Sequence, residues 1–187
     1  LVCAAGVGNG ALSHALFDER SALSRSGVPG DGTWWGRVHA LDALPLEWSA
    51  WDSRATRLAL RGLTADGFDA AVAAAVSRRG ASRVGLALGT SASTIAVSEA
   101  AYAHGGFEAP QDHEALNTLH GVTHFVQQRL GLQGLALTVS TACSSSAKVF
   151  AVAERWLRLQ LVDAVVVAGV DALSDSLLYG FNALGLL

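Results

Sequence analysis

A chain of 187 residues, 51% hydrophobic and 16% charged, is long enough to bury one compact core and too apolar to stay disordered. A formal net charge of -3 with scattered Lys and Arg supplies no basic stripe for a phosphate backbone, which excludes nucleic acid as a partner. The two cysteines, Cys3 and Cys143, are too few for a disulfide framework and sit in no Cys-x-x-Cys or Cys/His pattern, which argues against a metal site and for a reducing, cytoplasmic setting.

Taken in chain order, Leu1 to Gly6 is an apolar run expected to form a buried strand. With no basic segment ahead of it and Gly6, Gly8, Asn9 and Gly10 directly following, it makes a poor signal peptide. Gly6-Val7-Gly8-Asn9-Gly10 lacks the spacing of a dinucleotide loop and reads as a backbone turn. Residues Ser24 to Ser53 mix Gly, Pro and Asp with Trp34, Trp35, Trp48 and Trp51 in little periodic order. They read as a surface excursion whose tryptophans anchor a local loop or pack against a neighbour.

Asp66 to Arg79 has Phe68, Val72, Ala75 and Val76 on one helical side and a stop at Arg78, Arg79 and Gly80. Arg83 to Gly89 is a second expected strand. Gly89-Thr90-Ser91-Ala92-Ser93 then reads as a tight turn, because the fifth position of a hydrolase nucleophile elbow around Ser91 would be Gly. Asp112 to Leu130 predicts a helix with Leu116, Leu119, Phe125 and Val126 as its apolar positions. On it His113, Asn117, His120 and His124 recur every three or four residues. Without the Glu of a His-Glu-x-x-His motif, or a clustered acid, they read as polar helix surface and not as metal ligands.

Leu135 to Ser140 is a third strand, Ser144 to Gln160 a helix, and Ala164 to Gly169 a fourth strand closed off by Asp163 and Asp171. No apolar run approaches the roughly 20 residues that span a bilayer, so no membrane partner is expected. Nearly continuous apolar strands alternating with helices predict an α/β fold with a mixed, mostly parallel sheet buried on both faces. The chain has no methionine, and its ending on Ala183-Leu184-Gly185-Leu186-Leu187 is abrupt, as in a partial sequence.

The most informative stretch runs from Leu135 through Ser140-Thr141-Ala142-Cys143-Ser144-Ser145-Ser146 into Ala147-Lys148-Val149. A strand passing through small residues into a helix exposes Cys143 at a sharp turn. There the unpaired N–H groups and positive end of the helix dipole favour thiolate over thiol. Ala142, Ser144 and Ser145 leave room for an acyl chain, and a backbone N–H of the turn is placed to stabilise an oxyanion. Thioester exchange suits such a site, because the thiolate exchanges one thioester for another of similar energy. The competing reading is a small buried cysteine used only for packing. Lys148, one turn further on, reads as a side chain reaching to solvent.

Ser140-Thr141-Ala142-Cys143-Ser144-Ser145 resembles the active-site motif of the β-ketoacyl-[acyl carrier protein] synthases, of the thiolase-like superfamily. Val84 to Ser91 resembles the strand and Gly-Thr-Ser turn upstream of that nucleophile. Asp163 to Asp171 resembles the following strand with its Val-Asp end, and Leu178 to Phe181 continues the match. The resemblance implies the amino-terminal half of a layered αβαβα fold spanning residues 1–187, with the carboxy-terminal half absent. It also implies an acyltransferase that loads Cys143 from acyl carrier protein or coenzyme A thioesters and joins the acyl group to a decarboxylated malonyl unit. No cofactor is implied.

A homodimer or heterodimer through the strand Leu135 to Ser140 is implied in the same way. The histidines, lysine and glycine-rich Phe loop that complete such a site belong to the other half. None of His14, His39, His104, His113, His120 or His124 sits in a matching context, so this chain alone is expected not to condense. Two other readings stand beside this one: a non-condensing scaffold or heterodimer partner, against which Cys143 itself argues, and a thiolase-like acyl-transfer enzyme.

Overall fold

The expected first strand folds back on itself in the computed structural model, which describes residues 1–27, 32–105 and 115–187. In place of one strand over Leu1 to Gly6, β1 (Val2–Cys3) and β2 (Gly6–Val7) form an antiparallel hairpin. Gly6 and Gly8 take φ of 135° and 90°, so the chain turns sharply where a strand would have continued. Helix α1 (Asn9–Phe17) follows, and β3 (Ser24–Ser26) pairs antiparallel with β4 (Thr33–Trp35).

The tryptophan-rich stretch returns to the body through a 3₁₀ turn, Leu46–Trp51. Trp48 meets Phe125 edge-on at 5.7 Å between centroids, Trp51 meets His124 at 4.8 Å, and Leu44 is buried. This segment is therefore sewn to the core by aromatic contacts. Helix α2 (Arg54–Leu63) begins with a capping box: the Ser53 hydroxyl accepts the Thr56 N–H while the Thr56 hydroxyl accepts the Ser53 N–H. Helix α3 (Phe68–Arg79) starts two residues later than the expected Asp66, because Asp66 and Gly67 sit left-handed at φ 55° and 70° in a separate turn.

The main sheet has three parallel strands in the order β6-β5-β7: β5 (Val84–Gly89) at the centre, β6 (Ala136–Val139) on one side and β7 (Ala164–Gly169) on the other. Every residue of β5 is buried, which is why its sequence is apolar without alternation. The strand over Leu135 to Ser140 is shorter than expected and half-buried, since β6 is an edge; Leu135 and Leu137 remain exposed.

Helix α4 (Ile95–Gly105) leads away from β5, and α5 (Gly121–Arg129) leads into β6. The long helix expected over Asp112 to Leu130 is thus confined to its second half among the described residues; Asp112 and His113 lie outside them. The Thr94 hydroxyl donates to the Leu116 carbonyl and that of Ser93 to the Thr118 carbonyl at 3.4 Å. The Leu116 carbonyl is thus held by a side chain of another segment, while the Thr118 carbonyl also accepts the Gly121 N–H at 3.1 Å, where α5 begins. Leu119, expected on the apolar face, is exposed.

Helix α6 (Ser145–Arg158) connects β6 to β7 and buries Ser145, Val149 and Ala153, one residue per turn. Helix α7 (Asp175–Ala183) is started by the Ser174 hydroxyl, which accepts the Leu177 N–H. The core joins Val84, Leu86 and Leu88 of the sheet to Val122, Phe125 and Val126 of α5 and to Ala55, Ala59 and Leu63 of α2. This is an α/β arrangement with a parallel central sheet. Among the described residues no helix is long and apolar enough to cross a membrane.

Candidate active site

Cys143 lies in the turn between β6 and α6, two residues before the helix begins, and is exposed. Ala142, immediately before it, is left-handed at φ 51°, a conformation unfavourable for a side chain with a Cβ. That backbone reverses the chain within a residue and turns Cys143 outward. The small packing cysteine weighed as the alternative is not what the structure places here. No hydrogen bond joins its thiol to another described residue.

The turn is held from inside by Ser145, which is only 2% exposed. Its hydroxyl accepts the Thr141 N–H at 2.9 Å and donates to the Ala142 carbonyl at 2.7 Å, with the Thr90 carbonyl further off at 3.4 Å. The Ala142 carbonyl also accepts the Ser145 N–H at 3.1 Å, and the Ser144 hydroxyl closes the same turn on the Thr141 carbonyl at 2.9 Å. Sequence reasoning treated Ser145 only as a small neighbour; its signal was a serine repeated at the head of a helix, where hydroxyls bond locally.

Beneath the turn the ends of β5 and β7 are glycines. A Cβ on Gly89 would lie 2.7 to 2.9 Å from the backbone of Ser145 and Ser146, and one on Gly169 would collide with the Ser146 side chain. The first turn of α6 therefore rests directly on strand backbone. Beside it, the Asp171 carboxylate accepts the Ser91 N–H at 2.7 Å, the Thr90 hydroxyl at 3.1 Å and the Ala92 N–H at 3.3 Å. The Ser91 hydroxyl lies 3.3 Å from the other Asp171 oxygen and 3.4 Å from the Ala142 carbonyl. Among the described residues Ser91 hydrogen-bonds to Asp171 and Ala142 and to no imidazole, and Lys148 is exposed.

His120 Nδ1 is 2.8 Å from the Thr138 hydroxyl, which is 2.6 Å from that of Thr123; His124 lies against Trp51 and 3.4 Å from the Gln128 amide. Burial, and then the neighbouring His124, hold the His120 imidazole below its ordinary pKa. Among the described residues no three His, Cys, Asp or Glu side chains converge on a metal-sized site. An apolar groove of about 810 Å³ runs between Leu1–Ala5, α1 and the outer edge of β7, with Asp171 on its wall; Cys143 is not on that wall.

The comparisons with known proteins agree with this geometry. The family described as "Beta-ketoacyl synthase, N-terminal domain" matches residues 53–187. A chain of the complex between the ketosynthase ApeO and its chain length factor ApeC from Xenorhabdus doucetiae superposes with a TM-score of 0.82 at 30% identity, covering 97% of this chain and 48% of that one. The ishigamide ketosynthase/chain length factor superposes with a TM-score of 0.77 at 17% identity, covering 100% of this chain and 49% of that one, and so shares the fold. The chain spans about half the length of these solved relatives. No curated protein matches it.

Proposed function

The chain belongs to the β-ketoacyl synthase family, as its amino-terminal domain, and from that premise we propose that Cys143 is the acyl-accepting nucleophile of a condensing acyltransferase. The observation that carries this reading is the exposed thiol thrown outward by a left-handed Ala142 at the head of α6. The Cys143 thiolate attacks the carbonyl carbon of an acyl thioester on a carrier protein or coenzyme A, and the tetrahedral adduct expels the carrier thiolate, which takes up a proton. The positive end of the α6 dipole favours the negative charge of that adduct. A malonyl thioester then loses carbon dioxide. Its carbanion forms a carbon–carbon bond with the acyl carbon as the carbon–sulfur bond to Cys143 breaks.

On this reading residues 1–187 form the amino-terminal half of the whole enzyme. Groups that protonate and orient the malonyl unit come from a further half, as the coverage of the solved relatives supports. The exposed edge of β6, with Leu135 and Leu137 beside it, is the surface proposed to pair with a second ketosynthase-like chain or a chain length factor.

The test is incubation with a fatty-acyl thioester, or with a cerulenin-type cysteine reagent, followed by mass spectrometric mapping of the wild type and Cys143→Ser. Acylation confined to Cys143 and lost in the variant is expected. An adduct on Cys3, or none, overturns the assignment. Condensed product from this chain alone overturns the half-site reading while leaving the nucleophile in place.

A further inference from the structure

We infer that Asp171 is a positioning residue for the nucleophile turn, holding Cys143 in register through the Thr90–Ser91 segment without touching substrate. The inference rests on Cys143 being the nucleophile. Asp171 follows the end of β7 and is exposed, yet its carboxylate accepts hydrogen bonds from Thr90, Ser91 and Ala92 of one turn. An exposed carboxylate gathering backbone and hydroxyl donors from a single turn fixes that turn's conformation, since such charge-assisted bonds are the stronger ones.

The turn it fixes touches the chain on both sides of Cys143. The Thr90 N–H donates to the Val139 carbonyl at 3.1 Å, before the nucleophile. The Ser91 hydroxyl approaches the carbonyl of left-handed Ala142 at 3.4 Å, next to it, and the Thr90 carbonyl faces the Ser145 hydroxyl at 3.4 Å, after it. With Asp171 in place, the end of β6 and the head of α6 are both referred to one rigid turn at the end of β5. Without it, Thr90 and Ser91 lose their anchor, and the left-handed Ala142 is left to relax toward a commoner backbone conformation. Catalytic groups need placement to within a fraction of an ångström, so slack at Ala142 is felt at the sulfur.

The measurement is the rate of alkylation by iodoacetamide at Cys143 and Cys3 in the same molecules, read by peptide mass spectrometry, with folding checked by circular dichroism. Relative to wild type, Asp171→Ala is expected to slow Cys143 about ten-fold while Cys3 stays within about two-fold. Asp171→Asn, which keeps one acceptor oxygen, should recover part of the loss, and Asp42→Ala, in an exposed loop, should change neither rate. A general loss of structure moves both cysteines together; a positioning role moves one. An unchanged Cys143 rate in folded Asp171→Ala overturns the inference wherever wild-type Cys143 outpaces Cys3.

If wild-type Cys143 reacts no faster than Cys3, the nucleophile reading is what has failed. Amide resonances then decide the role of Asp171. Displacement of the Ala142 and Cys143 signals in Asp171→Ala supports the mechanical link, and displacement limited to Thr90 through Ala92 refutes it.

Discussion

Gly89 and Gly169 are register partners at the ends of neighbouring parallel strands, and the same first turn of α6 lies across both. The absence of two side chains lets a helix head sit on strand backbone, and the nucleophile turn takes its height above the sheet from that contact.

Gly89→Ala is therefore an overpacking change against backbone, which cannot swing aside. It is expected to destabilise the fold by about 1–3 kcal/mol and to slow Cys143 labelling. Gly169→Ala meets the Ser146 side chain instead, whose hydroxyl can turn aside, and should cost less. Urea denaturation of the two variants checks the order; equal midpoints would contradict it.

Ser145→Ala removes the hydroxyl that accepts the Thr141 N–H and donates to Ala142. Leaving these groups without their partner should cost about 1–3 kcal/mol. Ser144→Ala, which loses a bond on a more exposed surface, should cost clearly less. Thermal unfolding of the pair separates the two, and a Ser144 effect as large as that of Ser145 would disprove the hub role.

Phe125 carries Trp48 and Trp51 on the inner side of the tryptophan-rich segment and is fully buried. Phe125→Ala should lose about 3–5 kcal/mol, with a red shift in tryptophan emission as those indoles meet water. Emission that stays at the wild-type wavelength would show that the segment packs independently of α5.

Two titrations contribute to the acid side of stability, alongside Asp52 and Asp163, whose carboxyls are held low by hydrogen bonds from Arg57 and Arg83. Burial raises Glu99, but hydrogen bonds from Ser176, Asp175 and Ser174 outweigh it and hold the carboxyl below its ordinary value of 4.5. A depressed folded-state pKa gives stability that is present above 4.5 and lost as pH falls through the lower folded value. His120 is depressed from 6.5 by burial and by His124, so the unfolded chain takes up its proton first and stability falls as pH drops below 6.5. His120→Gln should flatten the upper part of the pH–stability curve and Glu99→Gln the lower part. Chemical denaturation between pH 3 and pH 7.5 checks both, and the variants sharing one altered region would contradict the assignment.

The three strands of the main sheet were legible as short apolar runs, and the run is unbroken in Val84-Gly85-Leu86-Ala87-Leu88 because β5 is covered on both faces. Leu1 to Gly6 carries a similar run, yet it forms a hairpin, since composition alone does not tell whether a neighbouring strand is there to pair with. The start of α5 was hidden for a related reason: the Thr94 hydroxyl claims the carbonyl of Leu116, and the two lie more than 20 residues apart in the sequence. At the site, the strand-turn-helix pattern placed Cys143. Ser145 as the inner hub, and the reach of Asp171 to a turn 80 residues earlier, belong to tertiary contact and leave no local periodicity.

The central strand also dictates an order of assembly. β5 is synthesised well before either neighbour, and its pairing with β7 joins residues as far apart as Val84 and Ala164. Closing so long a loop is slow, and little is gained until both strands exist. As the chain emerges from the ribosome, Cys143 appears ahead of β7. The nucleophile is thus made after Gly89 but before Gly169, and the platform beneath its turn is complete only once β7 has joined the sheet.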